Sequence, residues 1–299
     1  MPDARPDSRD VRTFRRLVLA IFVLMTLPCA MEAQVITENA GVQSPELPLL
    51  YEQLRILETE NLTELRLASQ FVFSFTPSFE TRLIVPTVFR DIDLPTPTGE
   101  LDENLFGLGD ASVRLKYSLW QEDEVMESSR WAALTEGVFP TGEHQEEIDD
   151  IELPRKLQLG TGGFGVGLGT AFTVIRDRHR FSAELFYRHR TRHDGFHVGD
   201  SVSIYWFRLT PAEFRQAEAE TEVRAVFELL STLQADNIGG SRAFGDGGGA
   251  EVWLAPGIQI YASPRVLFEA SFQIPIVDAI DDALGNRHWG ATVGVKFVF

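Results

Sequence analysis

The last eleven residues read Trp289-Gly290-Ala291-Thr292-Val293-Gly294-Val295-Lys296-Phe297-Val298-Phe299. Trp289, Ala291, Val293, Val295, Phe297 and Phe299 fall on one face of an extended chain. Thr292, Gly294, Lys296 and Val298 fall on the other. Side chains alternate across a strand with period two, so this stretch reads as a strand with one apolar and one polar face.

The same alternation runs back through the chain. Leu65, Leu67, Phe71, Phe73 and Phe75 oppose Arg66, Gln70 and Ser74. Val113, Leu115, Tyr117 and Leu119 oppose Ser112, Arg114 and Lys116, and Phe181, Ala183, Leu185 and Tyr187 oppose Ser182, Glu184, Arg188 and Arg190. Further alternating segments occupy 79–90, 130–139, 160–174, 198–209, 218–231, 250–261 and 265–276. These segments run to about 10–14 residues, above the usual strand of about 5–6 and close to the 9–11 that a tilted strand needs to cross a bilayer. A soluble β-sandwich also alternates. It does not account for strands this long joined by connections of alternating length. The short connections are 76–78, 175–180 and 262–264, with 121–128 and 210–217 intermediate. The outer ones are 91–107, 140–159, 232–249 and 277–287, with 191–197 shorter. Short turns on one side and long loops on the other are the pattern of outer-membrane barrels.

The phase of the pattern then sets topology. If the C-terminus ends a downward strand, all short turns fall on the periplasmic side. An even strand count requires one more upward strand, for which 50–58 is the candidate. The expected fold is therefore an all-β, transmembrane, antiparallel up-and-down β-barrel of about 12 strands, closed because hydrocarbon leaves no partner for an edge. Aromatics sort to strand ends in this arrangement. Phe75, Phe79, Trp131, Phe181, Trp206, Phe297 and Phe299 lie toward the periplasm, and Phe89, Phe139, Phe164, Tyr187 and Trp289 toward the exterior.

Composition agrees. A net charge of −17 disfavours nucleic acid as a partner, since phosphate binding needs a basic face. Cys29 is the single cysteine, which excludes disulfide frameworks and cysteine-rich metal sites. Arg12, Arg15 and Arg16 precede the apolar run Leu17 to Leu27, followed by the small residues Ala30 and Ala33. This is a signal-peptide pattern. The expected organisation is a cleaved signal peptide at 1–33, a periplasmic N-terminal segment at 34–49 and the barrel at 50–299.

By phase, Arg82, Arg114, Lys116, Glu184, Arg188, Arg190, Arg224, Glu269 and Lys296 line the lumen. They read either as a charged channel wall or as salt bridges filling a narrow barrel, because 12 strands lie between filled 8-stranded barrels and open porins. Gly163, Gly165, Gly167 and Gly169 share one inner face; wall curvature is the favoured reading, and room for an inward-folded loop or plug the other. His189, His193 and His197 recur at intervals of four. Along an extended chain that spacing covers about 13 Å, so no metal site is expected. The outer connections are acidic: Asp91, Asp93, Glu100, Asp102 and Glu103, then Glu143, Glu146, Glu147, Asp149, Asp150 and Glu152. They read as a solvated rim facing lipopolysaccharide. A lipase would need a serine beside an outward histidine, and the expected neighbours of His189 (Gly162, Phe164, Asp200 and Val202) include none.

From Phe106 onward the chain resembles the outer-membrane transporter family named for the MetA pathway of phenol degradation. The resemblance is carried by Phe106-Gly107-Leu108-Gly109-Asp110 with Arg114-Leu115-Lys116-Tyr117, by Phe139-Pro140-Thr141-Gly142 and by Leu159-Gly160-Thr161-Gly162. Gln273-Ile274-Pro275-Ile276, His288-Trp289-Gly290 and the terminal strand complete it. Val293, Val295, Phe297 and Phe299 look like the signal that barrel assembly machinery reads. The resemblance implies an outer-membrane channel for passive passage of small molecules, hydrophobic or aromatic compounds included. A Gram-negative-type outer membrane with its lipids and lipopolysaccharide is the expected surrounding; no cofactor is expected, because passage down a gradient needs only a path, and no enzymatic activity, because no serine is expected beside His189. A non-conducting structural or surface-binding barrel is the alternative, and an outer-membrane lipase a remote one.

Overall fold

The structure is a computed structural model that describes residues 40, 42, 47–96, 99–125, 127–144, 147–148, 151–153, 157–177, 179–193, 197–211, 222–238, 247–280 and 284–299. The expected signal peptide lies outside the described residues. The first seven strands are β1 (Leu49–Thr59), β2 (Leu62–Thr76), β3 (Phe79–Thr96), β4 (Gly99–Leu108), β5 (Ala111–Glu124), β6 (Glu127–Phe139) and β7 (Glu147–Ile148). They are followed by β8 (Ile151–Glu152), β9 (Gly165–Arg176), β10 (His179–Arg190), β11 (Ser201–Pro211), β12 (Glu222–Gln234), β13 (Gly249–Ser263), β14 (Val266–Asp278) and β15 (Arg287–Val298). There is no helix among the described residues.

Twelve of these strands form a closed antiparallel barrel in the order β1-β2-β3-β5-β6-β9-β10-β11-β12-β13-β14-β15. β1 closes it: Leu49 opposes Val298 on one side and Val72 on the other. The upward strand expected at 50–58 is thus present as Leu49–Thr59. Closure pairs the backbone of the first and last strands, which is what a sheet in hydrocarbon requires.

The two faces follow the alternation. Phe71, Phe73, Leu119, Val166, Leu168, Leu185, Phe272 and Val293 are exposed on the outer face, while Gln70, Lys116, Glu184, Glu228, Gln259, Glu269 and Gln273 are buried on the inner one. Glu52 is an outward acid, and its carboxylate accepts a 2.8 Å hydrogen bond from Ser69. Outer-face aromatics pair toward the strand ends, with Phe272 and Trp206 reaching their partners from mid-strand. Phe75 with Phe79 and Phe181 with Trp206 lie on the periplasmic side; Phe139 with Phe164 and Phe272 with Trp289 lie toward the exterior.

Two differences from the sequence reading concern the outer end. Residues 91–96 and 99–107 form a β-arm rather than a loop: the upper half of β3 pairs with β4 from Thr87↔Leu108 to Thr96↔Gly99. The alternation simply continues, with Val88, Ile92 and Leu94 buried on the inner side. Outward Asp91 and Asp93 and the nearby Pro95 disguise it. Second, among the described residues of the 140–164 connection, Leu153, Leu157 and Leu159 point inward. They pack against Leu62, Val88, Ile92, Leu94 and Leu105 in one buried cluster.

Of the segment 34–49, the described residues are 40, 42 and 47–49, and Ala40 is fully buried against Ala132, Leu134, Ala171 and Phe186 on the inner wall. Its N–H donates to Thr173 Oγ1 at 3.0 Å. A buried backbone donor needs such a partner, and the inner wall supplies it.

Candidate functional site

The lumen is built by inward positions of all twelve strands, and its charges are mostly paired. Lys116 Nζ lies 3.0 Å from Glu80, which also meets Arg82 at 3.4 Å. Glu136 takes Arg114 and Arg188 together, each at 3.0 Å, and Arg114 reaches on to Glu184 at 3.7 Å. Arg224 pairs with Glu222 at 3.0 Å and lies over the Tyr261 ring at 4.4 Å. Between the neighbouring strands β14 and β15, Lys296 pairs with Glu269 at 3.4 Å. Eight of the nine lumen positions inferred from phase therefore sit in ion pairs. The ninth, Arg190, lines a cavity together with Arg66.

That cavity occupies the outer half of the lumen and measures about 420 Å³. Arg66, Arg90, Arg188 and Arg190 line it against Asp110, Glu136 and Glu251. Arg66 and Arg90 were not singled out from sequence, although both sit on the polar phase of their strands. Arg90 forms a 2.6 Å pair with Glu64 and also donates to the Gln158 carbonyl of the inward loop. The cavity is thus bounded from outside by that loop.

The inner glycines have a specific neighbour. A Cβ on Gly167 would lie 2.4 Å from Cε1 and Cζ of Phe186, and one on Gly169 would lie 2.4 Å from its Cδ2. The Phe186 ring lies flat in the space that the missing side chains leave on β9. Arg114 and Arg188 sit over this ring at 4.8 and 5.3 Å from its centroid. Gly167 and Gly169 are therefore a seat for an aromatic that carries two arginines, whereas Gly165 faces Val138 and Gly163 the Thr191 carbonyl.

Three of the stretches that carry the family resemblance converge at the outer rim. Gly109 N donates to the Pro86 carbonyl at 2.9 Å where β4 passes into β5. Asp110 next to it accepts from Gly142 N at 3.2 Å, from Thr161 N at 2.9 Å and from Thr161 Oγ1 at 2.6 Å. Thr141 Oγ1 accepts from Ala111 N and donates to the Gly109 carbonyl. A Cβ on Gly160 would lie 2.4 Å from the Gly142 carbonyl oxygen, so these two backbones touch. This junction fixes both ends of the 140–164 loop to the barrel.

The three histidines are not spread along an extended tip as expected. β10 stops at Arg190 and the chain reverses before β11, which returns His197 to the level of His189; their ring centroids are 5.4 Å apart. His193 instead meets His144, with Nε2 atoms 3.1 Å apart. The hydrogen-bond partner of His189 is Asp200 at 2.8 Å, and no serine hydroxyl bonds to it among the described residues.

The fold and site define a transmembrane β-barrel with an ion-paired lumen, an inward outer loop and a cationic cavity beneath it. No family model and no curated protein matches the chain, so the phenol-pathway resemblance has no such support. Solved structures do match. The chain is similar to the COG4313 outer membrane channel from Pseudomonas putida F1, with a TM-score of 0.65, 12% identity, and coverage of 90% of this chain and 100% of that one. It is also similar to the NanC porin, with a TM-score of 0.46, 10% identity, and coverage of 83% and 98%. LpxR from Salmonella typhimurium follows with a TM-score of 0.43, 10% identity, and coverage of 84% and 100%. At these identities the likeness is one of fold.

Proposed function

We propose that this barrel resides in the outer membrane of a Gram-negative-type bacterium and passes small molecules down their gradient. The observation that carries this reading is the roughly 420 Å³ cavity inside a closed apolar-faced wall, with Arg66, Arg90, Arg188 and Arg190 around it. A passage needs a path and weak sites along it, and no cofactor. Four arginines against three carboxylates favour a solute with negative charge. Val138, Leu159 and Val198, the apolar members of the lining, favour one with an apolar or aromatic body as well. Lipids, lipopolysaccharide and assembly machinery are its expected surroundings, with the outward Val293, Val295, Phe297 and Phe299 as the assembly signal. The resemblance to the COG4313 channel in fold supports transport over catalysis, as does the Asp200 partner of His189, where a lipase needs a serine.

The second reading is a non-conducting barrel. It is favoured by Leu153, Leu157 and Leu159 packed inward at the outer end and by Ala40 against the inner wall. One experiment separates them: planar-bilayer current and liposome swelling with benzoate, benzyl alcohol and a neutral sugar. Passage predicts current and fastest swelling with benzoate. Absence of both current and swelling would defeat it.

A further inference from the structure

We propose that His189, His197 and Asp200 form a binding site for a divalent transition ion at the outer rim, with Zn²⁺ as its reference occupant. The three offer one ligand atom each, and those atoms lie within 4.8 Å of one another. His189 Nδ1 is 2.8 Å from Asp200 Oδ1, and His197 Nε2 is 3.8 Å from that same oxygen. In a tetrahedral site with bonds near 2.0–2.2 Å, neighbouring ligand atoms stand about 3.3 Å apart, inside the range seen here. Two imidazoles and one carboxylate are a donor set suited to zinc with a fourth position open to water.

Hydrogen bonding alone leaves this cluster incomplete. Both imidazoles converge on one oxygen of Asp200, and only His189 is close enough to bond it. The Nε2 of His197 stands 3.8 Å from that oxygen, beyond hydrogen-bond reach, and a cation between the two rings gives it a partner without moving the backbone.

The scaffold is already held in place. His197 exchanges both backbone hydrogen bonds with Ile238, at 2.8 and 2.9 Å. The Asp200 carbonyl accepts from Ala235 N at 2.8 Å, and Gly199 N donates to Asn237 Oδ1 at 2.9 Å. A Cβ on Gly199 would lie 1.8 Å from the Ala235 carbonyl oxygen, so only glycine permits this approach. The second carboxylate oxygen of Asp200 accepts from the Tyr187 hydroxyl at 2.6 Å. Ligating carboxylates are ordinarily oriented by such an outer partner. His189 is at the end of a barrel strand, whereas His197 and Asp200 lie on the connection to β11. An ion there ties that connection, and through Ile238 the stretch after β12, to the barrel wall. The inference concerns the outer rim and is independent of whether the lumen conducts.

The test uses the full-length barrel purified in detergent, titrated with Co²⁺ and then with Zn²⁺ in competition. The expected result is one Co²⁺ bound per chain with the intense visible absorption of tetrahedral coordination, displaced by one equivalent of Zn²⁺. His197→Ala and Asp200→Asn lower the affinity at least tenfold, and Tyr187→Phe lowers it by about 10–100-fold through Asp200. His193→Ala, at the separate His144 pair, leaves it unchanged. Heat-modifiable migration checks that each variant folds, and His197→Gln replaces any alanine variant that does not. Absence of saturable binding to the wild-type protein overturns the proposal, as does equal affinity in the His197 and Asp200 variants. So does loss of the signal in His193→Ala alone.

Discussion

Asp110 accepts hydrogen bonds from both the amide and the hydroxyl of Thr161, at 2.9 and 2.6 Å, across 51 residues of sequence. It holds the end of the inward loop, while its other oxygen takes Gly142 N at the loop's start. A hydrogen bond to a charged group contributes about 1.5–3 kcal/mol, so losing this set is enough to release a local segment. Asp110→Ala is expected to speed proteolysis within 143–160 at least tenfold while leaving heat-modifiability intact. An unchanged digestion rate would show that the leucine cluster alone holds the loop.

The seat of Phe186 gives a second prediction. In Gly169→Ala the new methyl meets Phe186 Cδ2 at 2.4 Å and the Leu185 carbonyl at 2.6 Å, and the carbonyl cannot swing away as a side chain can. Overpacking of this kind costs about 1–3 kcal/mol. Urea unfolding in detergent micelles should show that loss. Phe186→Leu combined with Gly169→Ala should recover part of it, since the ring contact is then relieved. Equal midpoints for wild type and Gly169→Ala would rule out the close approach.

Much of the barrel is legible in the sequence because one physical constraint repeats in every strand. Lipid outside and polar groups inside force period two, and Lys116, Glu184 and Lys296 carry the polar phase as clearly as Leu115, Leu185 and Val295 carry the apolar one. What the pattern hides has other causes. Asp91 and Asp93 look like loop residues because acids are rare on strands that cross lipid, yet β3 has left the bilayer there and its outward face meets water. The inward fold of Leu153, Leu157 and Leu159 depends on an apolar patch contributed by β2, β3 and β4, which no local pattern reports. The approach of His197 to His189 depends on a chain reversal; spacing along an extended strand gives the wrong distance. The meeting of Asp110 with Gly142 and Thr161 shows only as three short motifs whose contact is entirely long-range.

The seam between first and last strands rests on a buried polar group of three. Tyr51 on β1 donates its hydroxyl to Glu269 on β14, and Lys296 on β15 pairs with the same carboxylate and lies 4.2 Å from the Tyr51 ring centroid. Removing one partner of a buried pair leaves an uncompensated charge and costs about 3–5 kcal/mol. Lys296→Met should therefore lower the unfolding midpoint strongly. The double variant Lys296→Met with Glu269→Gln should be less destabilised than Lys296→Met alone. If the double variant is worse than the single, Glu269 is sustained by groups other than Lys296.

Charge in the cavity should appear in ion selectivity. Arg66, Arg90, Arg188 and Arg190 face Asp110, Glu136 and Glu251, an excess of one positive charge in a confined space. Arg190 is the best position to reverse, because Arg188 is engaged with Glu136 and its loss would disturb that pair. Arg190→Glu leaves three arginines against four carboxylates, so the local sign inverts. In a potassium chloride gradient the wild-type barrel should show an anion-favouring reversal potential, and Arg190→Glu should move it toward the cation side. The shift should shrink as ionic strength rises, since the Debye length falls from about 10 Å at 0.1 M to about 3 Å at 1 M. Arg265→Glu, in the turn between β13 and β14 and outside the cavity lining, should leave the potential where it was. Identical potentials for wild type and Arg190→Glu, with current flowing in both, would place the permeation path away from these arginines.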